Sequence, residues 1–217
     1  MSKEQRVFKN NGKRFEEDFK ASFGPHVWTY RPPDIGGGML ARFTQESLCD
    51  LIAYDTKSKD LSLFELKSTL GTSVNFRPYE QCMQWEKDQA EFDEWNASLT
   101  TAERKPLREE IKNRRRELRA QYKATNAAMI KYHQIKDLAQ IEEEYGIKGY
   151  IAFTFFKTNT TYALPIKSFI EFWKETTKKS INEKDLQKLV EEDKCYLIEQ
   201  EYIGRSMKSK YEVDILL

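Results

Sequence analysis

Leu61-Ser-Leu-Phe-Glu-Leu-Lys-Ser68 follows Cys49-Asp-Leu-Ile-Ala-Tyr54 in the chain, and both stretches consist mainly of residues that favour β-strands. Polar residues with turn chemistry separate the two stretches at positions 55–60. The sequence therefore predicts a β-hairpin at the centre of the fold. Glu65 and Lys67 place charged side chains in an otherwise apolar strand, and charges in such a strand need a structural or chemical reason.

The register of this hairpin predicts a second acid beside Glu65. A hairpin that closes about Lys57-Ser58 sets Asp50 opposite Glu65. Directly opposed residues have Cβ atoms about 4.5–5.5 Å apart, so the two carboxylates lie close enough to share one cation. Strand alternation then places Lys67 on the same face as Glu65.

These three side chains suit metal-assisted phosphodiester hydrolysis. Two close carboxylates repel each other unless a hard divalent cation neutralises them, and Mg²⁺ binds carboxylate oxygens at about 2.0–2.1 Å. Lys67 would stabilise charge in the transition state and orient or deprotonate the attacking water. The alternative is structural: Asp50 ends a strand, and Glu65 and Lys67 form a surface ion pair that contributes about 0–1 kcal/mol.

Further motifs accompany this set in a fixed order. They are Asn10-Asn-Gly-Lys-Arg-Phe-Glu-Glu-Asp-Phe19, Tyr79-Glu-Gln-Cys-Met-Gln-Trp85, Gly146-Ile-Lys-Gly-Tyr-Ile-Ala-Phe-Thr-Phe155 and Tyr162-Ala-Leu-Pro-Ile-Lys-Ser-Phe-Ile-Glu-Phe-Trp173. Taken together, they resemble the RecU-type Holliday junction resolvases of Gram-positive bacteria and their phages, within the PD-(D/E)XK nuclease superfamily. The resemblance covers roughly residues 8–86 and 144–175. It implies an α/β fold with a restriction-endonuclease-like mixed β-sheet flanked by helices.

The resemblance assigns roles to individual residues. Asp50 and Glu65 match the metal-binding acids, and Lys67 matches the catalytic lysine. Glu16 matches a further metal ligand on the first helix, with Glu17 as the alternative register. Gln84 matches a glutamine near the family's active site; Gln81 shares its helical face and stays an alternative.

The same resemblance implies a cofactor, a substrate and an assembly. The cofactor would be Mg²⁺, with Mn²⁺ as a substitute, and the substrate would be branched DNA, specifically four-way junctions. Resolving a junction takes two symmetric nicks, which predicts a homodimer. Two alternatives remain: another DNA endonuclease of the superfamily, specific for flaps or for a sequence, and a branched-DNA-binding protein without catalysis.

Two departures from the family concern how DNA is engaged. The family has a long stalk between its first two strands, whereas residues 31–43 here form a short stretch rich in glycine and proline. Asp34 in that stretch is either an extra site acid or a turn residue. The second departure is the segment 86–142, which is much longer than the family's link.

We expect this segment to form an inserted hairpin of two long antiparallel helices. Apolar residues recur at helical spacings within it, and Thr100 with Glu103 forms a capping-box signature. A helix over residues 104–142 would reach on the order of 55–60 Å. The nuclease core would then comprise residues 1–85 and 143–217.

Positive charge is concentrated in this insertion. Residues 104–123 contain nine Lys/Arg and three Glu, whereas the whole chain has a net charge of only +1. The candidate DNA-binding residues are Lys112, Arg114, Arg115, Arg116 and Arg119, together with Lys13 and Arg14 on the first helix. Basic stripes bind the phosphate backbone without reading sequence. The alternative is a solvated helix face with internal ion pairs such as Glu110–Arg114.

Composition favours a compact cytoplasmic enzyme. The chain has 217 residues, of which 39% are hydrophobic, and no apolar run approaches the length of about 18 residues that a membrane span needs. Cys49, Cys82 and Cys195 are scattered and odd in number, which favours reduced thiols. Only two histidines occur, so a zinc site is not expected.

Later segments read as scaffold. We predict strands at 149–156, 161–166, 196–198 and 211–216, and helices at 165–175 and 181–190.

Overall fold

The structure is a computed structural model, and it describes residues 3–32, 48–203 and 208–217, with side chains for residues 11–32, 48–201 and 209–217. Asp34 and most of the short stretch 31–43 lie outside the described residues. The strands within the described residues are β1 (Val27–Tyr30), β2 (Leu51–Asp55), β3 (Leu61–Thr69), β4 (Ser73–Asn75), β5 (Lys148–Phe155), β6 (Thr160–Pro165), β7 (Ser180–Asn182), β8 (Tyr196–Ile198), β9 (Gln200–Ile203) and β10 (Lys208–Tyr211). The helices are α1 (Lys3–Ala21), α2 (Tyr79–Ser98), α3 (Thr101–Arg104), α4 (Arg108–Thr125), α5 (Tyr132–Tyr145), α6 (Ile166–Glu175) and α7 (Glu183–Glu191).

Six strands form the main sheet, in the order β1-β2-β3-β5-β6-β8. Strands β3 and β5 run parallel, while the other neighbouring pairs in this sheet are antiparallel. Two smaller sheets pair β4 with β7 and β9 with β10. The predicted α/β fold, a mixed sheet flanked by helices, is therefore confirmed.

The central hairpin has the register that the turn chemistry predicted. Strand β2 pairs with β3 so that Ile52 faces Leu63 and Leu51 faces Phe64. The regular pairing ends with Leu51 and Phe64. The backbone N–H of Asp50 donates to the carbonyl of Phe64 over 3.0 Å, so Asp50 shares a partner with Leu51 and the predicted direct pairing of Asp50 with Glu65 does not continue the ladder.

Alternation along β3 divides its side chains between two cores. Phe64 and Leu66 pack under α1 with Phe15 and Phe19, and the Phe19 and Phe64 rings meet edge to face at 5.7 Å. Leu63 lies on the other face, in the larger core that α5, α6 and α7 cover. Glu65 and Lys67 share the face of Leu63, because strand side chains repeat every two residues.

Helices α2 and α4 form a hairpin with its own small core. Phe92 of α2 packs with Ile111 and Leu118 of α4, and these three residues form a cluster apart from the two main cores. Trp85 ties the base of the hairpin, because its indole N–H donates to the carbonyl of Leu118 over 3.2 Å. The predicted hairpin of two antiparallel helices is thus present, and Thr100 and Glu103 form the predicted capping box at α3.

The expectation of one continuous helix over residues 104–142 is wrong. Helix α4 ends at Thr125 and α5 begins at Tyr132. Asn75 fixes the interruption: its side-chain oxygen accepts from the N–H of Met129 over 2.7 Å, and its carbonyl accepts from Ile130 over 3.1 Å. Because Ile130 is fully buried in the larger core, the chain returns to the sheet before α5 starts.

The break places α5 against the main sheet rather than on the α2–α4 hairpin. Ile135 and Leu138 of α5 are buried in the larger core beside Ile151 of β5. At 1.5 Å per residue, the 18 residues of α4 span about 27 Å, roughly half of the predicted reach.

Most scaffold predictions are confirmed within one or two residues, and one is wrong. Residues 211–216 do not form a strand: β10 ends at Tyr211, and a 3₁₀ turn covers Asp214–Leu216. This turn sets Val213 and Leu216, three residues apart, into the core beneath α1. Cys49, Cys82 and Cys195 are buried free thiols. Of the helices described, none combines the length and apolarity needed to cross a membrane.

Candidate active site

Glu65 is the most deeply buried acid of the candidate site. It lies in the middle of β3, a central strand of the sheet, and only 1% of its surface is exposed. A carboxylate removed from water in this way is costly unless it is paired, hydrogen-bonded or bound to a cation.

Asp50 is held beside Glu65 by the backbone of β3. Its Oδ2 accepts a hydrogen bond of 2.8 Å from the N–H of Leu66, the residue directly after Glu65. Asp50 lies just before β2, so its side chain, rather than a backbone carbonyl of the neighbouring strand, accepts from the N–H of Leu66. The Asp50 carboxylate is therefore oriented by the strand that carries the second acid.

Lys67 neutralises part of this charge. Its Nζ contacts Oε1 of Glu65, and its side chain is 13% exposed. The alternative interpretation, an exposed surface ion pair, does not describe this contact, because one partner is buried and the other nearly so. The structure thus brings Asp50, Glu65 and Lys67 together as the sequence predicted.

Gln134 is a site residue that the sequence reasoning missed. Its Nε2 donates to Glu65 Oε1 over 2.6 Å, and its own Oε1 accepts from the N–H of Lys131 over 3.1 Å. The amide is therefore oriented by the first turn of α5 and presents its NH₂ group to Glu65. A capping glutamine three residues into a helix is a known signal, but Lys131 is not a Ser or Thr that would have marked it.

The second oxygen of Glu65 is unsatisfied. Oε2 is buried and has no hydrogen-bond partner among the described residues, whereas Oε1 accepts from both Lys67 and Gln134. Burial raises the pKa of Glu65 to about 8; the charge of Lys67 lowers it, and that of Asp50 raises it further. Burial likewise raises the pKa of the neighbouring Cys49 thiol to about 12, with Glu65 and Asp50 adding to the shift.

This donor set fits a hard divalent cation. Two neighbouring carboxylates, one with an unpartnered buried oxygen, supply the oxygen ligands that Mg²⁺ prefers, and water fills the remaining positions. Within the described part of the chain, no group of three or more His, Cys, Asp or Glu side chains is assembled for a metal. The preformed set is therefore a pair of acids.

Glu16, the predicted third acid, has a different partner in the structure. Its Oε2 pairs with Nη2 of Arg31 at 2.5 Å. Helix α1 packs through Phe15 on the Phe64 face of the sheet, opposite to the face of Glu65, and Glu16 contacts Arg31 directly after β1. Glu17, the alternative register, is exposed.

Gln84, the glutamine expected from the resemblance, donates to Asp88 over 2.7 Å on the exposed side of α2. Gln81 is also exposed. Among the described glutamines, the structure thus sets Gln134 against Glu65, although Gln84 has the expected spacing from Lys67.

The predicted DNA-binding cations differ in their surroundings. Lys13 is exposed, and Arg14 pairs with Asp18 at 3.5 Å. On α4, Lys112 pairs with Glu109 at 3.4 Å, and Arg114 pairs with Glu110 at 3.4 Å and lies over the Trp95 ring at 4.5 Å.

Arg115, Arg116 and Arg119 have no carboxylate partner within the described residues. They are exposed on α4, and the guanidinium of Arg115 lies 6.0 Å from the centre of the Phe92 ring.

Comparison with known families supports the resemblance over the later part of the chain. Residues 110–205 match the family model of RecU, described as Recombination protein U. This part of the chain is RecU-like. The RecU-like range includes Gln134 and begins inside the segment 86–142 that we expected to be an insertion. Asp50, Glu65 and Lys67 precede it.

A solved structure also shows similarity. The Holliday junction resolvase Hjc of Archaeoglobus fulgidus, an archaeal hyperthermophile, is 10% identical, with a TM-score of 0.35 over 83% of this chain and 89% of that chain. Both the identity and the TM-score are too low to establish a common fold or function. No curated protein matches the chain.

Proposed function

We propose that this RecU-like protein is a metal-dependent, structure-specific endonuclease that resolves four-way DNA junctions by hydrolysing phosphodiester bonds. The observation that carries the proposal is the arrangement around Glu65: a buried carboxylate beside Asp50, with Lys67 and Gln134 on one oxygen and the other oxygen unpartnered. A structural ion pair would not require the second acid or leave a buried oxygen unsatisfied.

Asp50 and Glu65 would hold the cation, which we propose to be Mg²⁺, with Mn²⁺ as a substitute. Bound there, the cation would polarise the scissile phosphate, lower the pKa of the attacking water and neutralise developing charge. Asp50 is already oriented for this role by the N–H of Leu66, so binding needs little rearrangement of its side chain.

Lys67 and Gln134 act on the same carboxylate from two sides. Lys67 is partly exposed, so its ammonium group can reach a phosphate oxygen and stabilise negative charge in the transition state. Gln134 holds Oε1 of Glu65 through a neutral hydrogen bond, which orients the carboxylate without changing its charge. We propose that Gln134 takes the place that the resemblance gave to Gln84.

Glu16 would serve as a further ligand only after exchanging its partner. Its ion pair with Arg31 has to open before the carboxylate is free for a cation. Arg31 would then be available for a phosphate of the bound DNA. Glu16 thereby connects substrate binding to completion of the metal site.

The proposed assembly is a homodimer that makes two symmetric nicks. A four-way junction has two-fold symmetry, so two active sites related by the same axis match the two strands to be cut. Phosphates and junction shape would provide the affinity, because branched DNA has no defined base sequence. Lys13, Arg14, Lys112, Arg115, Arg116 and Arg119 are the proposed phosphate contacts, whereas Arg114 pairs with Glu110 and lies over Trp95.

The deciding experiment compares substrates at equal concentration. The protein is incubated in Mg²⁺ with a mobile four-way junction, a flap and a linear duplex, and the products are resolved by denaturing electrophoresis. Preferential, paired nicking of the junction is expected. Preferential cutting of the flap, or of the duplex at one sequence, would assign a different nuclease activity; junction binding without cleavage would assign a non-catalytic DNA-binding role.

A further inference from the structure

The α2–α4 hairpin has a concave surface whose charge is of one sign. A groove of about 760 Å³ lies along α3 and α4, and the described residues that line it include no acid. Two of its cations come from the α3 turn region: Arg104 and Lys105. Five more come from α4: Arg108, Lys112, Arg115, Arg116 and Arg119. We call this surface the basic groove.

Helical spacing places most basic side chains of α4 in one stripe. Arg108, Lys112, Arg115 and Arg119 recur at intervals of four, three and four residues, which places them in one stripe. A second groove on the other side of the α2 contact is lined by Asp88, Glu91 and Glu117 with Arg114. The buried Ile111 and Leu118 separate the two stripes, because they hold α4 against α2.

This separation assigns Arg114 a structural role. Its guanidinium lies over Trp95 and pairs with Glu110 on the acidic side, so its charge is largely compensated within the hairpin. Of the groove cations, Lys112 pairs with Glu109, whereas Arg108, Arg116 and Arg119 are exposed and have no ion-pair partner within the described residues. Uncompensated like charges repel one another, which makes the groove a binding surface for an anion of high charge density.

The dimensions suit a nucleic-acid backbone. The stripe from Arg108 to Arg119 covers eleven helical steps, which corresponds to about 16 Å. A DNA strand carries one phosphate per roughly 3.4 Å of helix axis, so about five phosphates would lie along that length. Five cations of α4 face the groove, counting Arg108 and Arg116.

We propose that the basic groove binds the phosphate backbone of one arm of the DNA substrate and that Arg104, Lys105 and Arg108 belong to this contact while Arg114 does not. The inference rests on the proposed nuclease function for the identity of the polyanion. It extends the contact from α4 to the α3 turn and gives the hairpin one DNA-facing side.

Binding measurements on the full chain test the groove. The triple variant Arg108→Gln/Arg116→Gln/Arg119→Gln removes three cations that make no ion pair with the described residues. Its control, Lys87→Gln/Lys184→Gln/Lys188→Gln, removes three exposed charges outside the groove. Affinity for a labelled four-way junction is measured by fluorescence anisotropy in EDTA over a series of salt concentrations. Without divalent metal, cleavage does not contribute.

The groove variant should bind roughly tenfold or more weakly than the control, and the slope of log affinity against log salt should fall by about 2–3, because each phosphate contact contributes about 0.9. Thermal melting of the two variants should agree. An equal affinity and salt slope for groove variant and control would overturn the proposal.

Chemical protection of the wild-type chain gives a second readout. Bound junction DNA should protect Lys105 and Lys112 from acetylation, as measured by mass spectrometry, and leave Lys87 and Lys188 reactive. Equal reactivity of all four with and without DNA would also contradict the groove. The proposed nuclease function is tested separately: junction binding by the wild-type chain without any cleavage in Mg²⁺ would overturn that function while leaving the groove result intact.

Discussion

Gln134 donates a hydrogen bond of 2.6 Å to Oε1 of Glu65, although the two residues are 69 positions apart in the chain. The oxygen of the same amide accepts from the N–H of Lys131 at the α5 N-terminus, which leaves the amide NH₂ group facing Glu65. Helix α5 therefore lines the candidate site around Glu65 as well as covering the sheet. Its position links the RecU-like range to acids that precede that range.

Replacing Gln134 should weaken catalysis more than binding. Gln134→Met keeps the side-chain volume but removes both hydrogen bonds, which leaves the Glu65 carboxylate held by Lys67 alone. We expect Mg²⁺-dependent junction cleavage to fall by about 10–100-fold and the Mg²⁺ concentration for half-maximal rate to rise, as for other residues that orient metal ligands. Junction affinity in EDTA should not change.

A glutamine on the same helix provides the matched control. Gln140→Met alters an exposed side chain that bonds only within α5, to Glu144 over 2.8 Å, and should cleave like the wild type. Gln84→Met tests the rival glutamine directly. If Gln84→Met were impaired and Gln134→Met were not, the spacing from Lys67 would be the better guide to the site.

The two acids should determine cation affinity independently of cleavage. Asp50→Asn removes one carboxylate charge and retains an oxygen that can accept from Leu66. Titration calorimetry with Ca²⁺, Mg²⁺ and Mn²⁺ should show that Asp50→Asn and Glu65→Gln each lose most of the wild-type affinity, since charge count sets binding of hard cations. Wild-type heats that persist in both variants would place the cation elsewhere.

The ion pair between Glu16 and Arg31 makes a double-mutant cycle informative. Arg31→Gln removes this ion pair from the Glu16 carboxylate, so Mg²⁺ affinity should rise if Glu16 is the further ligand. Glu16→Gln in the Arg31→Gln background should cancel that gain. An Mg²⁺ affinity that does not respond to either change would restrict the ligand set to Asp50 and Glu65.

The α2–α4 hairpin should lose stability without unfolding of the main sheet and its two cores. Leu118→Ala creates a cavity in the three-residue cluster with Phe92 and Ile111, which typically costs about 2–5 kcal/mol. Hydrogen exchange should become faster in α4 and remain slow in β3 and β5, because their core is separate.

Leu70→Ala, at a position that is 46% exposed, is the leucine control and should leave exchange in α4 unchanged. Equal loss of protection in β3 and α4 after Leu118→Ala would show that the hairpin and core unfold together.

Local turn chemistry predicted the central hairpin, whereas the break between α4 and α5 depends on long-range packing that the sequence pattern did not indicate. The register of β2 and β3 followed from the polar turn at Lys57-Ser58, because few residues connect the strands and each slip would expose the apolar face. Helical periodicity likewise predicted the α2–α4 hairpin. Neither signal contains the docking of Met129 and Ile130 on Asn75, so the break before α5 was missed.

The site residues divide in the same way. Asp50, Glu65 and Lys67 lie within one hairpin, so their proximity follows from strand pairing. Gln134 reaches Glu65 only because α5 returns to the sheet. Glu16 pairs with Arg31, which lies directly after strand β1 and far from Glu16 in the chain. Contacts across distant elements carry no spacing signal in a single sequence.

Glu65 and its neighbours are proposed to hydrolyse DNA at a junction. The most direct test incubates wild type and Glu65→Gln with an end-labelled four-way junction in Mg²⁺, and measures junction affinity for both proteins in Ca²⁺ or EDTA. We predict paired nicks by the wild type, none above background by Glu65→Gln, and comparable EDTA affinity for both. Cleavage by Glu65→Gln at the wild-type rate would show that Glu65 does not take part in hydrolysis.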